Sequence, residues 1–215
     1  TSRAINILSV SSSIEKVIMK NTLVNCWNMR ISQLLEASDD NFEGSVTPDL
    51  ILSKLWICEQ LKELKETRFS TIYILGSWYG NLGFVLKRQD IKFKKIINVD
   101  HDQRQIEVTD RIYKQLKIPS ENMWADANTV DFRQADDKSA IINTSVQDID
   151  PDRWFDNMPK GPLVILQSRN NSEQGYPDLK TFDERFPMTN TMYVNQREFK
   201  DPETDYLRFM KIGIK

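Results

Sequence analysis

The chain has 215 residues, a formal net charge of -2, 40% hydrophobic and 28% charged residues, a make-up that suits a globular protein with one large core. No apolar run approaches the roughly 20 residues that a membrane-spanning helix requires, so no membrane segment is expected. A near-neutral balance creates no overall field to attract nucleic acid, and no basic stretch leads into an apolar run at the start, so the expected location is cytoplasmic.

Cys26 and Cys58 both fall in helical patterns and lack the spacing of a zinc site or a redox pair. They read as buried, reduced thiols. His101 is the sole histidine, so a histidine-based metal site would have to lean on carboxylates, and no structural metal is expected. Lys87, Arg88, Lys92, Lys94 and Lys95 form a local basic cluster, which reads as a solvated face with nucleic-acid contact as the alternative.

In chain order, Ile5 to Leu8 is a short apolar piece that suits an edge strand or a docked tail. Ser12-Ser13-Ile14-Glu15 then has the form of a capping box, and Ile14, Val17, Ile18, Val24, Trp27, Ile31, Leu34 and Leu35 follow a helical stripe. A long amphipathic helix from about Ser13 to Glu36 is expected, followed by a polar loop to Val46. Thr47-Pro48 supplies an N-cap and a first-turn proline, and Ile51, Leu55, Cys58, Leu61 and Leu64 mark a second helix. Residues 1–68 thus read as an N-terminal helical extension ahead of a core at 69–215.

The run from Thr71 to Leu86 breaks at Gly76 and resumes with a different period. Up to Leu75 it reads as a strand buried on both faces; from Asn81 onward Leu82, Phe84, Val85 and Leu86 suit a packed helix. Gly76 and Gly80 mark a sharp turn that something can approach closely. The helix start turns unpaired N–H groups and a positive dipole end toward the space above the strand, a seat for a carboxylate or phosphate.

Further apolar segments follow. Ile96 to Asp100 reads as a second strand and Asp102 to Leu116 as a helix, with a weaker strand at Asn122 to Ala125, another at Ala140 to Ile142 and a fifth at Leu163 to Leu166. Short strands alternating with helices imply a doubly wound, mostly parallel α/β sheet of Rossmann-like form. The tail differs: Thr189 to Phe199 and Tyr206 to Ile214 read as an antiparallel pair around the turn-prone stretch Lys200 to Thr204.

Ligands bind outside the carboxyl ends of strands in such sheets. Here those ends carry Gly76 to Gly80, Asp100, Asp126, Asn143-Thr144-Ser145 and Gln167-Ser168. Asp100 stands 24 positions beyond Gly76, near the spacing at which an acid after the second strand accepts both hydroxyls of a ribose. The plainer role for Asp100 is an N-cap of the next helix, although Asp102 can cap instead. Asp126 is placed to accept from an exocyclic amine, with Ala125 and Ala127 leaving room for a flat ring.

This ordered set resembles the class I S-adenosylmethionine-dependent methyltransferases, over roughly Thr71 to Lys215. The resemblance implies S-adenosylmethionine as cofactor, with Gly76 and Gly80 at its methionine portion, Asp100 at the ribose and Asp126 with Ala127 at the adenine; Ser77, Trp78 and His101, their chain neighbours, are further candidates for contact with it. Asn143 would face the methyl group. The implied chemistry is transfer of that methyl to an unidentified acceptor, whether small molecule, nucleic acid or protein, where positioning does most of the work. Candidates for a catalytic role are Asn143, Ser145 and Asp148; Gln167, Ser168 and Asn170, in the loop after strand five, are expected to touch substrate.

Two positions depart from the family's pattern. Trp78 stands where the turn commonly has a third glycine, and apolar Ile74 stands where an acid commonly precedes it. An indole at 78 can stack on a ligand ring or fill the cleft itself. The alternative function is therefore a non-catalytic relative with a scaffolding or assembly role. A dinucleotide oxidoreductase fits less well, because the turn lacks two of the three dinucleotide glycines.

Overall fold

The computed structural model describes residues 43–200 and 205–215. The expected strand or tail at Ile5 to Leu8, the helix from Ser13 to Glu36 with Cys26, most of the polar loop after it and the turn between the last two strands lie outside the described residues. The chain divides into two compact units, Thr1–Leu52 and Ser53–Lys215. In the first, a 3-10 turn at Glu43–Val46 precedes the start of helix α1, Pro48–Glu63.

The larger unit is built on a seven-stranded sheet. Its elements are β1 (Arg68–Leu75), α2 (Asn81–Arg88), β2 (Lys92–Asp100), α3 (Gln103–Leu116), β3 (Ser120–Trp124), β4 (Ser139–Asn143), α4 (Pro151–Trp154), β5 (Leu163–Arg169), α5 (Leu179–Arg185), β6 (Asn190–Lys200) and β7 (Asp205–Ile214). Strand order is β3-β2-β1-β4-β5-β7-β6. β1 to β5 pair in parallel, and β7 runs antiparallel to both β5 and β6. The order reverses between β1 and β4, the crevice where doubly wound sheets bind ligands.

Register sets the site. Leu75 pairs with Val99 and with Asn143, Asp100 with Trp124, and Asn143 with Leu166. The parallel strands therefore end nearly level, and the residues that follow them share one edge. β4 is buried throughout and β1 from Ile72 to Leu75, as expected for central strands covered on both faces. One face carries Tyr73, Leu75, Val99, Ile141, Val164, Leu166 and Phe209 against Trp154, Phe155, Phe182 and Phe186. The opposite face meets α2 and α3: Tyr113 is fully buried and its hydroxyl donates to the Gly80 carbonyl at 2.6 Å.

Several boundaries differ from the sequence expectation. β2 starts at Lys92, because its first residues alternate between exposed and half-buried and carry lysines on the outer face. β5 continues to Arg169 because β7 pairs with it through Arg208. Gln167 and Ser168 are consequently buried strand residues and not loop residues. In α1, Trp56 and Ile57 are fully buried beside Cys58 and Leu61, so the apolar stripe is broader than the one legible from Ile51, Leu55 and Leu64. Asp102, not Asp100, caps α3, accepting from the N–H groups of Arg104 and Gln105, a cap that contributes about 1 kcal/mol.

Candidate active site

The turn after β1 is fixed by backbone bonds on every side. Ser77 N–H donates to the Val99 carbonyl at 3.0 Å and Gly80 N–H to the Ser77 carbonyl at 2.9 Å. Gly76 and Gly80 have φ of 60° and 70°, and Trp78 has φ of 51°, a left-handed conformation unusual for a bulky side chain. A Cβ on Gly80 would lie 2.7 Å from both Thr109 and Tyr113 of α3. Glycine at 80 is thus demanded by the closeness of α3 as well as by φ. Further on, in α2, a Cβ on Gly83 would collide with the Tyr113 hydroxyl and lie 2.7 Å from Ile96. Gly83, Thr109 and Tyr113 were not read as site residues from sequence; the glycine spacing 76, 80, 83 was the available signal.

Asp100 locks this turn in place. It is 5% exposed, its Oδ2 accepts the Trp78 N–H at 2.7 Å and its Oδ1 accepts the Asp102 N–H at 3.1 Å. The Thr109 hydroxyl donates to the Trp78 carbonyl at 3.1 Å. Both backbone groups of Trp78 are therefore held, and its ring lies against Tyr79, centroids 5.8 Å apart.

Beside the turn lies a cleft of about 400 Å³, lined by Gly76, Val99, Asp100, His101, Ala125 to Asn128 and Asp148 to Asp150. That volume suits a small-molecule ligand. Gly76, Asp100, His101, Asp126, Ala127 and Asp148 are brought together here, from the ends of β1, β2 and β3 and the loop after β4. Trp78 is not among the lining residues, so the indole does not fill this space. Asp126 caps the 3-10 turn Ala127–Thr129, its Oδ1 accepting from the Asn128 N–H at 2.9 Å; its second oxygen takes no part in that cap. His101 is 91% exposed, with Nδ1 3.5 Å from Asp100 Oδ1. Trp124, 64% exposed, donates its indole N–H to the carbonyl of His101, a lining residue, at 2.9 Å.

The remaining predicted residues lie on the β4, β5 and β7 side. Asn143 is fully buried; its Oδ1 accepts the Ser145 N–H at 2.9 Å, and its Nδ2 has no partner. The Ser77 hydroxyl is also buried without a partner. Ser168 donates to Gln147 Oε1 at 3.0 Å, and Gln147 in turn donates to Asp148 at 2.8 Å. Asn170 Oδ1 accepts the Leu207 N–H at 2.8 Å, tying the end of β5 to β7. Gln167 donates to the Ser53 carbonyl at 3.1 Å, leaving its Oε1 unpartnered. Among the described residues no group of three His, Cys, Asp or Glu side chains is placed to hold a metal ion, and no helix is long and apolar enough to cross a membrane.

The strand order, the reversed seventh strand and the glycine turn under a strand-two acid constitute the fold of the class I S-adenosylmethionine-dependent methyltransferases. Magnesium protoporphyrin IX methyltransferase (ChlM) from Synechocystis PCC 6803, solved with bound SAM, superposes with a TM-score of 0.56 at 8% identity over 90% of this chain and 96% of that one. An rRNA methylase from Streptococcus thermophilus gives 0.51 at 13% identity, over 76% of this chain and 95% of that one. TehB from Haemophilus influenzae gives 0.52 at 10% identity, over 71% of this chain and 60% of that one. No protein-family model and no curated protein sequence matches the chain.

Proposed function

We propose that the protein is an S-adenosylmethionine-dependent methyltransferase. The observation that carries this reading is the cleft at the ends of β1 to β3, with the Asp100 carboxylate in its wall and the Trp78 indole outside its lining. The residues present fit an adenosyl group. Asp100 keeps acceptor capacity beyond its two backbone donors, because a carboxylate offers about four lone-pair sites. Ala125 and Ala127 leave a flat surface for a purine, with Asp126 beside them. Gly76, where a Cβ would come within 3.3 Å of Ile149, keeps the passage toward β4 open. Bound there, the cofactor would supply a sulfonium methyl group for in-line displacement. The chain's own residues bind, orient and exclude water; the orphaned Asn143 Nδ2 and Ser77 hydroxyl are donors in reserve beside the turn.

The neighbours that superpose include an enzyme solved with SAM and SAH, which supports the same cofactor in this chain. A second reading, a non-catalytic relative, draws on one observation: Asp100 already serves the backbone of Trp78 and Asp102. Thermal melting of the full chain with S-adenosylmethionine, S-adenosylhomocysteine and NAD distinguishes the two. A ligand at about 100 times its Kd adds about 2.7 kcal/mol, which at about 2–4 °C per kcal/mol for a chain of this size raises the midpoint by several degrees. The sulfur ligands are expected to do so and NAD is not. A midpoint indifferent to both sulfur ligands rejects the methyltransferase reading.

A further inference from the structure

Three arginines stand in one row across the last three strands. Arg169 of β5 pairs with Arg208 of β7, and Arg208 pairs with Arg197 of β6, so their side chains leave the same face of the sheet. Arg197 is neutralised, its Nη1 2.8 Å from Glu59 and its guanidinium over the Trp56 ring. The other two are not. Among the described residues neither Arg169 nor Arg208 has a carboxylate partner, and the Nε of each is buried without a hydrogen bond. Arg208 is only 4% exposed. Its hydrogen bonds are long ones, Nη1 to the Thr144 carbonyl at 3.3 Å and Nη2 to the Tyr206 hydroxyl at 3.5 Å, and its guanidinium lies 6.0 Å from the Phe199 ring centroid and 5.7 Å from that of Tyr206, contacts that bring no negative charge.

Like charges on directly paired strand positions repel, and a buried cation without a counter-charge is costly. Such an arrangement destabilises the free protein and favours any ligand that brings the missing anion. It sits at the acceptor side of the sheet, next to the end of β4, with the unpartnered Gln167 Oε1 two residues before Arg169 on the same face. We propose that Arg208 and Arg169 hold the carboxylate of a small-molecule acid, the methyl acceptor. Depth favours a small acid over nucleic acid: a polymer backbone tracks exposed basic grooves, whereas Arg208 is 4% exposed, and the chain's net charge is -2. Naming the acid as acceptor rests on the methyltransferase reading; the anion site itself does not.

The test is thermal melting of the full chain at constant ionic strength, with and without S-adenosylhomocysteine, against matched pairs: acetate and acetamide, benzoate and benzamide, glutarate and glutaramide. Inorganic phosphate and a single-stranded oligonucleotide complete the set. At least one carboxylate is expected to raise the midpoint saturably by about 2 °C or more while its amide does not. Arg208→Met is expected to abolish that shift and to raise the unliganded midpoint, since it removes a buried charge that has no counter-ion; a merely structural arginine would lower it. Should Arg208→Met not fold, Arg169→Gln, at a half-buried position, is expected to weaken the carboxylate at least about tenfold. Three results overturn the proposal: no carboxylate exceeding its amide, a response to phosphate or oligonucleotide alone, or a carboxylate shift that survives both substitutions. A shift with S-adenosylhomocysteine and none with carboxylates rejects the anion site alone; the converse keeps the anion site and rejects the cofactor.

Discussion

Asp100 Oδ2 accepts the main-chain N–H of Trp78 at 2.7 Å, while Oδ1 of the same carboxylate accepts the Asp102 N–H at 3.1 Å. One side chain thus joins the turn after β1 to the start of α3. In Asp100→Asn only one of the two atoms can still accept, and the new NH2 faces a backbone donor. A buried unsatisfied group costs about 1–3 kcal/mol, so the melting midpoint is expected to fall by several degrees at about 2–4 °C per kcal/mol. Binding of S-adenosylhomocysteine is expected to weaken at least about tenfold by titration calorimetry. An unchanged midpoint would mean that this carboxylate does not hold the turn.

Trp78 separates the two functions considered for this chain. With φ of 51° it occupies a conformation that glycine adopts freely, so Trp78→Gly relieves about 1–2 kcal/mol of backbone strain and gives up about 0.5–1.5 kcal/mol of ring contact with Tyr79. Stability is expected to change by no more than about 1.5 kcal/mol. Because the indole lies outside the cleft lining, S-adenosylhomocysteine affinity is expected to stay within about threefold. A gain of tenfold or more in the variant would show that the indole obstructs the ligand.

Most of the sheet was legible because its signals are local. The buried runs at Ile72 to Leu75 and Leu163 to Leu166, the acid closing β2 and the antiparallel tail are properties of neighbouring residues. What was missed depends on pairing between distant ones. β5 reads as ending at Leu166 because Gln167, Ser168 and Arg169 are polar; β7 extends it by supplying hydrogen-bond partners from across the sheet. The same pairing brings Arg169 to Arg208, a juxtaposition with no trace in either segment alone. Asp100 and Asp126 were legible as strand-end acids, but their backbone bonds were not. One of the two N–H groups that Asp100 accepts belongs to Trp78, held at a positive φ that favours glycine and that no propensity predicts for tryptophan.

Gly83 and Tyr113 give a test of how α2 and α3 position the turn. A Cβ at 83 would meet the Tyr113 hydroxyl and Ile96, so Gly83→Ala is expected to destabilise by about 1–3 kcal/mol through overpacking. Tyr113→Phe removes the hydroxyl that donates to the Gly80 carbonyl at 2.6 Å and is expected to cost about 1 kcal/mol. With that oxygen gone, the methyl group added at position 83 has more room, so the double variant is expected to lose less than the sum of the single losses. Denaturant unfolding of the four proteins checks this. Additive losses would mean that the two residues do not share the space.

Cys58 is 1% exposed on α1, and burial pushes its thiol from 9.0 up to about 12. At pH 8 the native thiolate fraction is then about one in ten thousand, and the thiolate is the reactive form. Iodoacetamide is expected to leave Cys58 unmodified in the native protein and to label it once urea has unfolded the chain, as peptide mapping would show. Linkage adds a pH signature. Well below pH 9 the thiol is protonated in both states and contributes no slope; as pH rises through 9 toward about 12 the unfolded chain ionises while the native one stays protonated, so stability falls as pH rises. Cys58→Ala removes that group, so its unfolding free energy should decline less steeply than the wild type's across the same window. Parallel declines in the two proteins would show that the Cys58 thiol ionises as readily in the folded chain as in the unfolded one.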